Sequence, residues 1–328
     1  LYKRLGEFFK NYVRTVGEEC EKLEGVDQIR LFAKHWDNFK IGSKAVNTVT
    51  AYLNRHWIKA QLERANNSVH DIQTLAIITW KQMLRVLMAT KITDGVLDLI
   101  EKDRQGVDVD QSLIERVVDC FVQIGIDEVV DKTGPEPHDE SDAKLRLYRN
   151  MFEKKLLIAT DNFYMNFARS FLEEHSFMEY LEMVERRLAE ENERCEKYLH
   201  QSSVEPLTKK CEEVLISCHL ELFRSKFISF LNERKVEGLR RLYSLCNRVE
   251  GGLDAVQSFL QAHVKDQALS AVMNGQEKSH QDNDYIERAL QEIKDHYYDL
   301  IEIVFPNESE FIEAVDAGIQ AARIEIES

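Results

Sequence analysis

The chain has 328 residues, 44% hydrophobic and 31% charged, with only 13 Gly and 4 Pro; this mixture suits long amphipathic helices and excludes a disordered polypeptide. A formal net charge of −15 and a pI near 5.2 make nucleic acid and anionic membrane surfaces poor partners. No apolar run approaches the length of a membrane span. The six cysteines, with no Cys-x-x-Cys pair, read as reduced thiols of the cytosol or nucleus rather than a disulfide framework.

In chain order, Gly25 separates the first two helices. Gly42-Ser43 predicts a fresh helix start with Ser43 as N-cap, the helix running to near Ala65. Within it Val46, Val49, Leu53 and Trp57 follow helical spacing and predict one buried face. Asn66-Asn67-Ser68 reads as a turn. Ser68–Phe121 then reads as helix, turn at Lys91, helix, turn at Gly106, helix. Asp108-Val109-Asp110 with Glu115 has some of the look of a calcium loop, but the central Gly is missing; a turn followed by a capped helix fits better. Gly125 is a further turn, and Asp131–Asp142 is an acidic loop carrying Pro135 and Pro137.

Leu145, Tyr148, Phe152, Leu156, Ala159 and Phe163 form the next apolar stripe. Phe177, Leu181, Val184, Leu188, Cys195 and Leu199 form another, flanked by Glu182/Arg186, Glu190/Arg194 and Glu193/Lys197 in the favoured order. Pro206 suits a first helical turn. Ser203–Val264 repeats the earlier pattern, with turns near Lys235 and Gly251-Gly252, at an offset of roughly 135–145 residues. Pro306 precedes a final helix capped by Asn307 or Ser309. Nothing sustained alternates with period two, so no sheet is predicted. Each repeat would be a bundle of about five helices, and bundles that touch only their neighbours stack into a rod.

Chemistry-bearing motifs are lacking. The ten histidines form no His-Glu-x-x-His, and Cys218-His219 adjoin on different helix faces, so no metal site is expected. There is no Gly-rich phosphate loop, nucleophile elbow or Asp-Asp-x-x-Asp pair; no cofactor and no catalysis are expected. Asn66-Asn67-Ser68 and Asn307-Glu308-Ser309 match glycosylation acceptors, which would be idle in a cytosolic protein. On these grounds alone a helical-rod subunit of a membrane-tethering complex remains a rival reading.

Certain segments carry more. Leu1-Tyr2-Lys3-Arg4-Leu5, continuing to Tyr12, and Ala51-Tyr52-Leu53-Asn54-Arg55-His56-Trp57 stand in the order and spacing of the third and fifth helices of a first cullin repeat. Leu99–Gly106, Tyr148…Phe163-Tyr164, Tyr180…Leu199, Lys210…His219 and Leu239…Leu253 follow in the order of the second and third repeats. Through them the chain resembles the cullin family, scaffold subunits of modular ubiquitin ligases, over nearly its whole length. Asn54-Arg55-His56-Trp57 is similar to the SCF-type members.

The resemblance implies an all-α, elongated stalk of stacked five-helix cullin repeats. Its divisions would be 1–66, the end of a first repeat, 67–201, a second, and 202–328, a third. It implies a scaffold without catalysis, resident in cytoplasm and nucleus. The implied partners are a BTB-fold adaptor carrying an F-box-type substrate receptor, a cullin-associated exchange factor, and a RING subunit held through a C-terminal region beyond Ser328. The chain opens on Leu1 inside a helical pattern and reads as an excerpt, with two family helices expected before it. Tyr52 and Arg55 match adaptor-facing positions of the fifth helix, and Thr48 lies one turn earlier on the same face. The bland alternative has Tyr52 lying over the core edge and Arg55 merely solvated.

Overall fold

The structure is a computed structural model describing residues 1–64, 69–84, 89–125, 145–276, 283–305 and 309–327. Among these residues the chain is helix and short turn throughout, with no strand, as the absence of period-two patterning predicts. The helices are α1 (Tyr2–Glu21), α2 (Gly25–Val49), α3 (Ala51–Leu53), α4 (Lys59–Glu63), α5 (Ile72–Met83), α6 (Ala89–Arg104) and α7 (Gln111–Gln123). After these come α8 (Lys154–Glu174), α9 (Phe177–Tyr198), α10 (Val204–Leu215), α11 (Leu220–Asn232), α12 (Val236–Cys246), α13 (Gly252–Gln276), α14 (Asn283–Val304) and α15 (Ser309–Glu327). Five-residue π-helical turns at Asn54–Ile58 and Arg149–Glu153 lead into α4 and α8.

Local chemistry sets several boundaries. The Asp71 carboxylate accepts from the backbone N–H groups of Gln73 and Thr74 at 3.0 Å and starts α5. Asp110 caps α7 through the Ser112 N–H at 3.2 Å, so the acidic stretch before it is a turn and a cap. Gly106, at φ +81, ends α6; its N–H reaches the Asp103 carbonyl and the Val107 N–H reaches that of Lys102. Pro206 lies in the first turn of α10.

Two expected breaks do not occur. α2 runs unbroken through Gly42 and Ser43; Ser43 is buried, and its hydroxyl donates to the Lys40 carbonyl at 3.1 Å instead of capping a helix. Lys91 lies inside α6 rather than at a turn. The expected features at Asn66–Ser68, Asp131–Asp142, Pro306 and Asn307 lie outside the described residues.

The chain forms two compact units, Leu1–Phe163 with Glu191–Leu207, and Tyr164–Glu190 with Thr208–Ser328. In the first, Phe32, Trp36 and Phe39 of α2 surround Trp80 of α5, with ring centroids 5.7, 5.4 and 4.9 Å away. Phe9 and Tyr12 of α1 close on Phe39 at 5.9 and 5.7 Å. Each such ring, once buried, contributes roughly 1.5–3 kcal/mol by area. Asp103 lies in the last turn of α6. Burial would raise its pKa, but hydrogen bonds from Gln111, Arg194 and Tyr198 outweigh that and hold it below the usual carboxylate value.

In the second unit, Phe177 and Tyr180 pack edge-on against Phe223, and Phe305 stacks on Phe311 at 4.2 Å. Gly318 lets α15 approach α13 closely: a Cβ there would stand 2.7 Å from the Gln261 carbonyl oxygen. The stripe from Phe177 to Cys195 is buried as expected, with Leu199 half-buried. From Tyr148 through the π turn at Arg149–Glu153 and along α8 the buried line runs Tyr148, Phe152, Leu156, Thr160, Tyr164, Ala168. Ala159 and Phe163 fall beside it, because steps of four wind round a helix of 3.6 residues per turn. Of the expected helix-surface pairs, Glu193–Lys197 closes at 3.5 Å, whereas Glu182 meets Arg241 and Arg194 meets Asp103.

Candidate docking face

Thr48, Tyr52 and Arg55 are all exposed, Tyr52 by 76%. Thr48 ends in α2, Tyr52 lies in α3, and Arg55 is in the π-helical turn that follows. The Thr48 hydroxyl donates to the Lys44 carbonyl at 3.0 Å, which fixes its rotamer. The Tyr52 ring rests on His56, one turn on, with centroids 4.3 Å apart. No ion pair engages Arg55 among the described residues. Thr48, Tyr52 and Arg55 stand at the four- and seven-residue steps that mark one side of a regular helix, but the backbone leaves helical values at Thr50 and widens into the π turn at Asn54.

The stripe predicted to be buried is not. Val49 is 85% exposed and Trp57 41%, while Val46 and Leu53 are half-buried. For Trp57 the π-helical turn at Asn54–Ile58 supplies the reason; Val46, Val49 and Leu53 precede it, and spacing alone does not say which apolar side of a helix is covered. The π geometry places one extra residue in the turn and rotates everything after it. Asn54 anchors it, donating to the Asn47 side-chain oxygen at 2.7 Å and accepting from the Ile72 N–H at 3.3 Å. Ile58 then takes the buried position, and Trp57 leans on Tyr2 of α1 at 5.2 Å. The Tyr2 hydroxyl in turn accepts from the His70 N–H at 3.0 Å. What results is an exposed face from Ile41 through Lys44, Thr48 and Tyr52 to Arg55 and Lys59 that nothing in the described chain covers.

Sequence reading missed two members of this face. Val49 was assigned to the core, since helical spacing cannot say which of two apolar sides is covered. Ile41, 68% exposed, follows from the same register. A signal for the face was present: positions 38–62 form the longest run without Asp or Glu in a chain that has 58 of them.

Other candidates carry less chemistry. A shallow cleft of about 250 Å³ between α14 and α15 is lined by Glu287, Lys294, Asp316 and Arg323, but these charges already pair, Arg323 with Glu287 at 2.6 Å and Lys294 with Asp316 at 2.7 Å. Among the described residues no group of three or more His, Cys, Asp or Glu side chains could hold a metal ion, and no helix is long and apolar enough to cross a membrane.

A family model described as the cullin alpha solenoid domain matches residues 1–322. The chain is 33% identical to cullin-1 of Caenorhabditis elegans over 317 residues, 96% of this chain and 40% of that protein. It is 30% identical to cullin-1 of Dictyostelium discoideum over the same shares, and 28% identical to cullin-1 of Schizosaccharomyces pombe over 98% of this chain and 41% of that protein. The chain thus spans about 40% of the length of these relatives.

Proposed function

This chain belongs to the cullin family, and from that membership we propose that it is the helical stalk of an SCF-type ubiquitin ligase scaffold. In this reading the repeats, 1–66, 67–201 and 202–328, stack into a rod. A BTB-fold adaptor with its F-box-type substrate receptor docks on the face of Thr48, Tyr52 and Arg55. A RING subunit binds through sequence C-terminal to this chain, a cullin-associated exchange factor is a further binding partner, and the complex works in cytoplasm and nucleus. The chain performs no chemistry. It fixes the distance between substrate and ubiquitin donor, which raises their effective concentration.

The observation that carries the reading is the uncovered aromatic. An exposed Tyr beside an Arg with no ion-pair partner among the described residues combines large contact area, low entropy cost and a directional donor fork, which are hot-spot properties. The family match argues against a membrane-tethering rod. In the full-length protein, Tyr52→Ala is expected to weaken adaptor binding at least about tenfold while leaving the melting temperature nearly unchanged. Normal binding by that variant would move the docking face elsewhere.

A further inference from the structure

Positions 38–62 contain no Asp or Glu, where the chain average would put about four. A second acid-free run, 72–93, includes α5, whose residues are largely buried, so core composition accounts for it. Core composition does not account for 38–62. Ile41, Lys44, Val49, Tyr52, Arg55 and Lys59 within it are all exposed. Its cation Lys40 is used internally, 2.9 Å from Asp119. Lys44, Arg55 and Lys59 have no acidic partner within 4 Å among the described residues. The face therefore pairs three free cations with three exposed apolar side chains, on a chain whose net charge is −15.

We propose that the partner docking here presents carboxylates around an apolar patch, and that Lys44 and Lys59 steer it into register. This rests on the docking reading above and adds the chemistry of the partner's surface. The geometry matches the task. Lys44 and Lys59 stand one near each end of the face, on α2 and α4, with Thr50 and the π-helical turn between them. Tyr52 and Val49 lie between them. Rim charges flanking an apolar centre set association rate and orientation, while the centre sets lifetime. The acid-free run lowers the repulsion that this net-negative chain would exert on an acidic partner landing here. Nucleic acid fits less well, because phosphates gain nothing from Ile41, Val49 and Tyr52, and the rest of the acidic chain repels them.

The test is stopped-flow association of the full-length protein with purified BTB-fold adaptor between about 50 and 500 mM NaCl, which shortens the screening length several-fold. The wild-type association rate should fall at least about tenfold across that range. Lys44→Glu/Lys59→Glu should lower the rate at low salt by a similar factor, flatten its salt dependence, and change dissociation little. Replacing facing adaptor carboxylates with Lys should restore the rate to this variant. Lys44→Gln/Lys59→Gln, which keeps helix propensity, gives a smaller shift in the same direction should the reversal variant melt early. If Tyr52→Ala weakens binding while both charge variants associate normally at every salt concentration, the inference is overturned and the docking reading stands. If none of the variants alters binding, the docking reading falls and takes the inference with it. Binding of duplex nucleic acid by the wild type that the charge variants lose would overturn the assignment of an acidic protein partner.

Discussion

The Arg104 guanidinium meets the carboxylate of Glu191, 87 residues further along the chain, through two hydrogen bonds of 2.9 Å, with both side chains buried. Arg104 also donates to the Thr160 hydroxyl at 2.8 Å, and Glu191 accepts from Arg194 at 3.0 Å. A buried pair with its remaining donors and acceptors satisfied is costly to break from one side only. Glu191→Ala should destabilise the first unit by about 3–5 kcal/mol, because the Arg104 charge stays buried without its carboxylate. Denaturant titration measures this; a loss below about 1 kcal/mol would place the pair with surface ion pairs, which contribute little.

The second unit should weaken in mild acid. Burial lowers the pKa of His219, His263 and His296, and Arg234 adds to the effect at His296. His263 is the most enclosed, and its Nε2 has no hydrogen-bond partner among the described residues; Asp266 pulls its pKa the other way without overcoming burial. A histidine whose folded pKa is depressed favours the folded state fully above its unfolded pKa of about 6.5. That stability is lost as the pH falls below 6.5 through the folded value. Melting temperatures recorded from about pH 7.5 to 5 should therefore decline below about 6.5. His263→Phe, which keeps a ring beside Tyr297, should reduce the slope.

Thiol labelling should be selective. Cys218 is exposed, and the other five cysteines are buried. Burial, aided by Glu19, pushes the Cys20 thiol up to about 11, and burial pushes Cys195 and Cys246 up to about 12. Mass spectrometry after brief maleimide treatment at neutral pH should find a single adduct, at Cys218, and further adducts only in denaturant. Rapid native labelling of Cys120 would show that the cluster around Trp80 opens readily.

The proposed stacking of repeats has a dimension to check. A globule of 328 residues would have a radius of gyration of about 20 Å. Small-angle scattering on the monomer should give a clearly larger value, and a value near 20 Å would rule out the rod.

Much of the fold was legible from residue order. The stripe from Phe177 to Cys195, the Asp110 cap and the Gly106 and Gly251 turns follow from side-chain period, a local carboxylate acceptor and the freedom of glycine at positive φ. The break expected at Gly42-Ser43 failed because cap residues are also tolerated inside a helix when tertiary packing covers them, as it covers Ser43.

The candidate face divides the same way. Residue order places Thr48, Tyr52 and Arg55 at the spacing of one helix side. It also fixed the local charge, since no acid lies between Asp37 and Glu63. Which side is open follows from packing between distant residues. The Asn54 side chain ties its helix to Asn47 and to the start of α5, the turn widens by a residue, and Ile58 goes inward while Trp57 stays partly out; Val49 and Tyr52, before the turn, are left open because no described element packs over them. Periodicity fixes relative azimuth, whereas absolute orientation is set by contacts between residues far apart in the chain.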